Sequence, residues 1–320
     1  MAIAQTAFHG GWILVIFPFL LHLSVSTPSP RNSLTNSGTQ SIPGNAAVIQ
    51  NYNDIFRKQN HSTVAFRGDD GTDNKDAPSG PIISPSLLAC DWSSIKSEVA
   101  RCLASGVSRL HIDVFDGVFL DSPLAFTFGP QMIRAIHQSC DGEPAELDLH
   151  VCVEQPKRFV EPMAEAGATR FIFQWEAMSG DRVEAATGLA KDICRAGMKC
   201  GVSINPNTTH EEIMPLLETG LVDVVDCLAV NPGFGGQTFQ NCTLGKMKSL
   251  AEWRKKNSLS FLIMCDGGVN NETVGAITQS GADILVAGTF LFSHPYGLGY
   301  GLDELRRSSR NEVDNTTGIP

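Results

Sequence analysis

The 320-residue chain has 34 acidic and 24 basic residues, a formal charge of −10, and 42% hydrophobic against 18% charged positions. Such a content supports one large core or two small ones and excludes a wholly disordered, collagen-like or polytopic membrane protein. The negative balance repels a phosphate backbone, so nucleic acid is not an expected partner. Small anionic metabolites stay open, because backbone N–H groups and a metal hold phosphate without net positive charge.

In chain order, residues 1–53 contain no Asp or Glu, and the apolar run 12–25 is broken by Pro18 and His22, which suits a signal h-region rather than a spanning helix. A Ser/Thr/Pro-rich stretch follows over 27–45 with Arg31 as its only charge. Together they predict a bipartite targeting leader over 1–45, directing the chain to a plastid through the secretory route, with a plain secretory signal as the alternative. Residues 46–80 are polar and read as a disordered linker. Once the leader is removed, no stable membrane association is expected.

From 81 to 305, β-rich runs alternate with helix-period segments. The strand candidates are 81–87, 109–114, 146–152, 170–174, 200–204, 222–230, 261–265 and 284–287; helical patterns fall at 92–104, 156–166, 181–196, 210–217, 242–255 and 273–280. Gly106, Gly167, Gly197, Gly220 and Gly281 sit where helices should stop. Eight such units predict an α/β fold, a (β/α)₈ TIM barrel forming a single catalytic domain, with a doubly wound sheet as the weaker alternative. No G-x-G-x-x-G opens a helix after the first strand, which counts against a dinucleotide fold. Residues 306–320 read as a polar tail without apolar period. The cysteine count of nine is odd and several thiols lie inside apolar runs, so buried free thiols in a reducing compartment are expected.

Barrel chemistry gathers at the C-terminal ends of strands. There the sequence offers His111 and Asp113, two residues apart and so on one strand face, then His150, Asp266 and Ser86. A lone histidine or aspartate in such a place is more often a hydrogen-bonded core residue or a helix cap. Four at equivalent ends of three strands instead point to one divalent cation, of the Zn, Fe, Mn or Co kind. Glycine-rich loops follow the last three strands, at Asn231-Pro232-Gly233-Phe234-Gly235-Gly236-Gln237, Asp266-Gly267-Gly268-Val269 and Ala287-Gly288-Thr289. Three on adjacent strands suggest a phosphate cradle.

With Ser84-Pro85-Ser86-Leu87-Leu88, His111-Ile112-Asp113-Val114-Phe115-Asp116-Gly117, Asp148-Leu149-His150-Val151 and Asn205-Pro206 in the same order, the chain from Ile83 to Phe292 resembles the ribulose-phosphate 3-epimerase family. The resemblance implies that His111, Asp113, His150 and Asp266 ligate the metal and that Asp113 and Asp266 act as catalytic proton carriers on opposite faces of C3. The substrate would then be ribulose 5-phosphate, converted to xylulose 5-phosphate through a 2,3-enediolate, in the pentose-phosphate and Calvin routes. Ser86, His111 and His150 would contact the sugar, while Gly233, Phe234, Gly235, Gly236, Gly267, Gly268, Gly288 and Thr289 would hold its phosphate. A homo-oligomer is also implied. Alternatives are an epimerase of a related ketose such as allulose 6-phosphate, or a non-catalytic phosphosugar-binding barrel.

The chain departs from the family's pattern at Phe115, at Gln174, where the family has a histidine, and at Leu228, and in a longer loop over 118–128. Glycosylation sequons begin at Asn60, Asn207, Asn241, Asn271 and Asn315, two of them, Asn207 and Asn271, just after strands at the expected catalytic mouth.

Overall fold

The apolar runs become strands β1 (Ile82–Pro85), β2 (Arg109–Phe115), β3 (Glu146–Cys152), β4 (Arg170–Gln174), β5 (Lys199–Ile204), β6 (Val224–Leu228), β7 (Leu262–Asp266) and β8 (Ile284–Ala287). The computed structural model describes residues 80–314 except 141, 143 and 144. The segments expected to be a leader (1–45) and a linker (46–80, up to residue 79) and the last residues from 315 lie outside the described residues.

All neighbouring strands are parallel, in the order β1-β8-β7-β6-β5-β4-β3-β2. The ring closes between β1 and β2 through a single bridge, Ser86 to His111. The result is a near-closed eight-stranded barrel with helices outside, as the βα alternation predicts. The expected first strand, 81–87, ends early because Ser86 accepts a hydrogen bond from the Leu88 amide and caps a 3₁₀ turn, Leu87–Ala89.

Around the barrel run α1 (Ile95–Ala104), α2 (Pro130–Ser139), α3 (Val160–Ala166), α4 (Arg182–Arg195), α5 (Met214–Leu217), α6 (Cys242–Lys256), α7 (Val274–Gln279), α8 (Thr289–Phe292) and α9 (Leu298–Asp314). All five stop glycines adopt the expected positive φ. Three helices, α2, α8 and α9, lack counterparts among the sequence-derived segments. The last corrects the domain boundary at 305 and the polar tail expected from 306, since α9 continues to Asp314. Its buried stripe is Leu298, Leu302, Leu305 and Ser309, a helical spacing whose last position is filled by a small polar residue, so hydrophobicity alone did not register it.

Alternation along each strand divides its side chains between two cores. Leu110, Ile112, Leu147 and Leu149 face the helices and are fully buried in the main apolar cluster, each contributing roughly 1.5–3 kcal/mol by burial. Inside the barrel, Asp148 is clasped by Arg109 and Arg170, each guanidinium 2.7 Å from one carboxylate oxygen. Beside this ionic cluster lies a small apolar plug of Ile172, Val224, Met264, Ile284 and Val286. Toward the C-terminal strand ends the inward positions turn polar again.

The thiols are all free, but not all buried as expected: Cys194 and Cys242 are exposed, because they face outward on helices rather than strands. Burial pushes the Cys102 and Cys227 thiols up to about 12. Among the described residues no helix is long and apolar enough to cross a membrane.

Candidate metal centre and barrel mouth

Register across β2 and β3 places Asp113 opposite His150, and the closing bridge places Ser86 opposite His111. Asp266 ends β7 on the far side. The structure therefore gathers His111, Asp113, His150 and Asp266, with one donor atom from each lying within 4.8 Å of all the others. His111 Nε2 is 3.4 Å from Asp113 Oδ1 and 3.5 Å from Asp266 Oδ2. His150 Nδ1 is 3.1 Å from the same Asp113 Oδ1, while the Ser86 hydroxyl donates to Asp113 Oδ2 at 3.0 Å.

The donor set fits a divalent cation. Both ring nitrogens of His111 are fully buried and have no hydrogen-bond partner, a costly state for a polar group unless something else satisfies it. Two imidazoles and two carboxylates around one centre are the ligand chemistry of borderline transition metals.

Electrostatics within the protein agree. Burial alone would lower the His111 imidazole, yet the Asp113 and Asp266 carboxylates raise it to about 10. Burial is likewise overridden at His150, which its contact with Asp113 raises to about 9. Burial disfavours the Asp113 carboxylate, but His111 and His150 hold it well below the ordinary range. At Asp266 burial wins over the pull of His111 and pushes the carboxyl up to about 7. The cluster thus attracts positive charge from whatever source is present.

Above it opens a cavity of about 320 Å³, whose lining includes Ser86, Asp113, His150 and Asp266. His111 is not on that lining; it is wholly buried beneath. The remaining cradle residues, Gly233, Phe234, Gly235, Gly236, Gly267, Gly268, Gly288 and Thr289, all reach the same cavity. Gly267 and Gly268 have φ of +99° and +67°, and a Cβ would fall 2.4 Å from Val230 Cγ2 at the first and 2.8 Å from the Phe239 backbone at the second. Only glycine allows this turn and this approach together. The Gln237 amide donates to the carbonyls of Asn231 (2.7 Å) and Phe234 (2.8 Å) and so folds the preceding loop onto itself.

Sequence reasoning missed Asp226. It lies inward on β6, fully buried, accepting from the Ser203 hydroxyl at 2.8 Å, with Oδ1 unpartnered. Burial raises its pKa, against the charges of His150 and His111. The signal lies in the period-2 pattern: Asp226 shares a strand face with Leu228 but sits inside the apolar run 222–230. Gln174, noted as a departure, occupies the end of β4 with its side-chain oxygen 2.7 Å from His150 Nε2.

Fold and cluster define a (β/α)₈ barrel whose glycine-lined mouth opens over a His/Asp cluster compatible with one divalent metal ion. The profile of the ribulose-phosphate 3 epimerase family matches residues 82–292. A Mycobacterium tuberculosis ribulose-phosphate 3-epimerase is 34% identical over 216 residues, covering 67% of this chain and 86% of that protein. The Schizosaccharomyces pombe ribulose-phosphate 3-epimerase is 35% identical over 210 residues, covering 66% and 86%. The chain belongs to the ribulose-phosphate 3-epimerase family. Among solved structures, KGPDC from Streptococcus mutans shares the fold at 15% identity and a TM-score of 0.50, covering 74% of this chain and 99% of that one.

Proposed function

We propose that the protein is a metal-dependent epimerase that inverts C3 of D-ribulose 5-phosphate to give D-xylulose 5-phosphate. The observation that carries this reading is the pair of carboxylates, Asp113 and Asp266, flanking one buried imidazole nitrogen at the floor of a glycine-lined cavity. Inversion beside a carbonyl requires a proton to leave one face of the carbon and another to arrive on the opposite face. Asp113 is the base and Asp266 the group that delivers the proton, the two carboxyls reaching the site from β2 and β7. In the reverse direction their roles exchange. Ser86 orients Asp113 through its hydroxyl.

His111, Asp113, His150 and Asp266 would hold the cation, of the Zn, Fe, Mn or Co kind. When bound, it supplies Lewis-acid stabilisation of charge developing on the sugar oxygens, worth on the order of several kcal/mol. Backbone N–H groups of the three glycine loops, with the Thr289 hydroxyl, would receive the phosphate.

Incubation with ribulose 5-phosphate in deuterated water, followed by NMR, tests the proposal. Xylulose 5-phosphate with deuterium at C3 is the expected product. Unchanged, unlabelled substrate would reject the reading.

Two further proposals concern the whole chain. Acid-free residues 1–53 and the short apolar run within them support a bipartite leader to a plastid; a fluorescent fusion to residues 1–80 that stays cytosolic would refute it. Homo-oligomeric assembly is supported by the exposed side chains of Val118, Leu124 and Phe126 on the loop after β2. A monomeric mass by light scattering would count against it.

A further inference from the structure

We infer that Gln174 is a positioning residue that fixes the tautomer of His150, so that the Nδ1 lone pair faces the metal pocket. The inference rests on the metal centre proposed above and deepens it.

Gln174 is wholly buried at the end of β4. Its amide nitrogen donates to Glu176 Oε2 at 2.5 Å and to Asn205 Oδ1 at 3.0 Å. A primary amide has two N–H donors and one acceptor oxygen. An ionised carboxylate can only accept, so the nitrogen must face Glu176 and the oxygen is left for His150 Nε2, 2.7 Å away. An acceptor at that point requires a proton on Nε2. A neutral ring protonated there carries its lone pair on Nδ1, the nitrogen 3.1 Å from Asp113 Oδ1.

The amide cannot easily turn over, because Glu176 is itself anchored. Its other oxygen accepts from the Asn205 backbone N–H at 2.9 Å and from the Thr208 hydroxyl. Lys246 then grips the same corner, donating to the carbonyls of Asn205 (2.5 Å) and Pro206 (3.1 Å). The orientation of one ligand ring is thus set by a chain of contacts running from the β5 corner through Glu176 and Gln174. Partners of this kind behind a ligating histidine typically govern metal affinity by about 10- to 100-fold.

The test measures metal binding directly, using Co²⁺ competed against a chromophoric chelator, with the Co²⁺ visible spectrum as a second readout. Gln174→Leu, which keeps the bulk and removes the acceptor, should weaken Co²⁺ binding by about 10- to 100-fold. Gln174→His, which keeps an acceptor nitrogen for His150 and an N–H donor for Glu176, should restore affinity to within about threefold of the parent protein. Equal affinity in all three proteins would overturn the positioning role while leaving the metal centre standing. Failure of the unaltered protein to bind Co²⁺ would overturn both. Should Gln174→Leu not fold, ¹⁵N NMR of the unaltered Zn²⁺-loaded protein decides: a protonated Nε2 on His150 supports the inference, and a protonated Nδ1 refutes it.

Discussion

Asp113 and Asp266 approach the same atom, His111 Nε2, from strands on different sides of the barrel, at 3.4 and 3.5 Å. One imidazole nitrogen therefore lies between the two groups that epimerisation needs, and the two carboxyls, Asp113 buried and Asp266 half-buried, differ strongly in acidity.

Replacing either by its amide separates chemistry from folding. Asp113→Asn and Asp266→Asn are each expected to lower turnover by about 10²–10⁴-fold with an unchanged circular dichroism spectrum. Steady-state assays in both directions check this; activity near the parent level in either variant would contradict the assignment of proton carriers.

Metal loading should displace protons. His111 and His150, raised to about 10 and 9, are imidazolium at pH 7.5 without a cation and must be neutral to ligate one. Calorimetric titration with Zn²⁺ in buffers of different ionisation enthalpy should therefore show release of roughly two protons. Chelation should abolish activity, and a divalent ion should return it. Release near zero would mean that the histidines are not ligands.

The same two rings give the chelated protein a defined pH response. Their folded pKa values lie above the unfolded value, so their stabilisation is fully present below about pH 6.5 and is lost as pH rises through 9 to 10. Asp266 acts earlier, since a raised carboxyl costs stability between about 3.8 and 7. Urea midpoints of chelated protein should fall from pH 7 to pH 10. His111→Gln should reduce the slope, and a flat profile in the parent would disprove the assignment.

Asp226 is a buried carboxyl with one unpartnered oxygen. Its pKa is raised by burial, so the unfolded chain gives up this proton first and stability is lost as pH climbs from the unfolded value through the folded one. Asp226→Asn keeps an acceptor for Ser203 and removes the charge. It should gain about 1 kcal/mol at pH 8 and little at pH 4, read from urea denaturation of chelated protein at both values. A loss at pH 8 would show that the carboxylate is needed there.

At the cradle, Gly268→Ala places a Cβ 2.8 Å from the Phe239 backbone on a residue with φ of +67°. The loop must shift, so KM for the sugar phosphate should rise by on the order of tenfold, an effect of about 1.4 kcal/mol, with a smaller change in kcat. An unchanged KM would remove this turn from phosphate binding.

Much of this architecture was legible in the chain. Strands such as Glu146–Cys152 and Arg170–Gln174 announce themselves through period-2 alternation, Leu147, Leu149 and Val151 in the first and Phe171 and Phe173 in the second. His111 and Asp113 were found for the same reason, their spacing forcing both onto one face. What escaped was decided by tertiary neighbours. Pro130–Ser139 follows a long loop, so its apolar positions Ile133 and Ile136 carried too little context. Ser309 is buried although it is polar, and Gln174 reads as a lost titratable group until Glu176 and Asn205 are placed behind it.

The hoop of strands is fastened at one clasp, the lone Ser86–His111 bridge, and the clasp is built from residues of the reaction centre itself. A cation drawn to His111, Asp113, His150 and Asp266 would tie β2 and β3, on one side of that joint, to β7 on the other, as well as holding the sugar. Loss of that ion would then loosen the cylinder along the β1–β2 joint first, making the catalytic ingredient also the rivet that keeps the staves together.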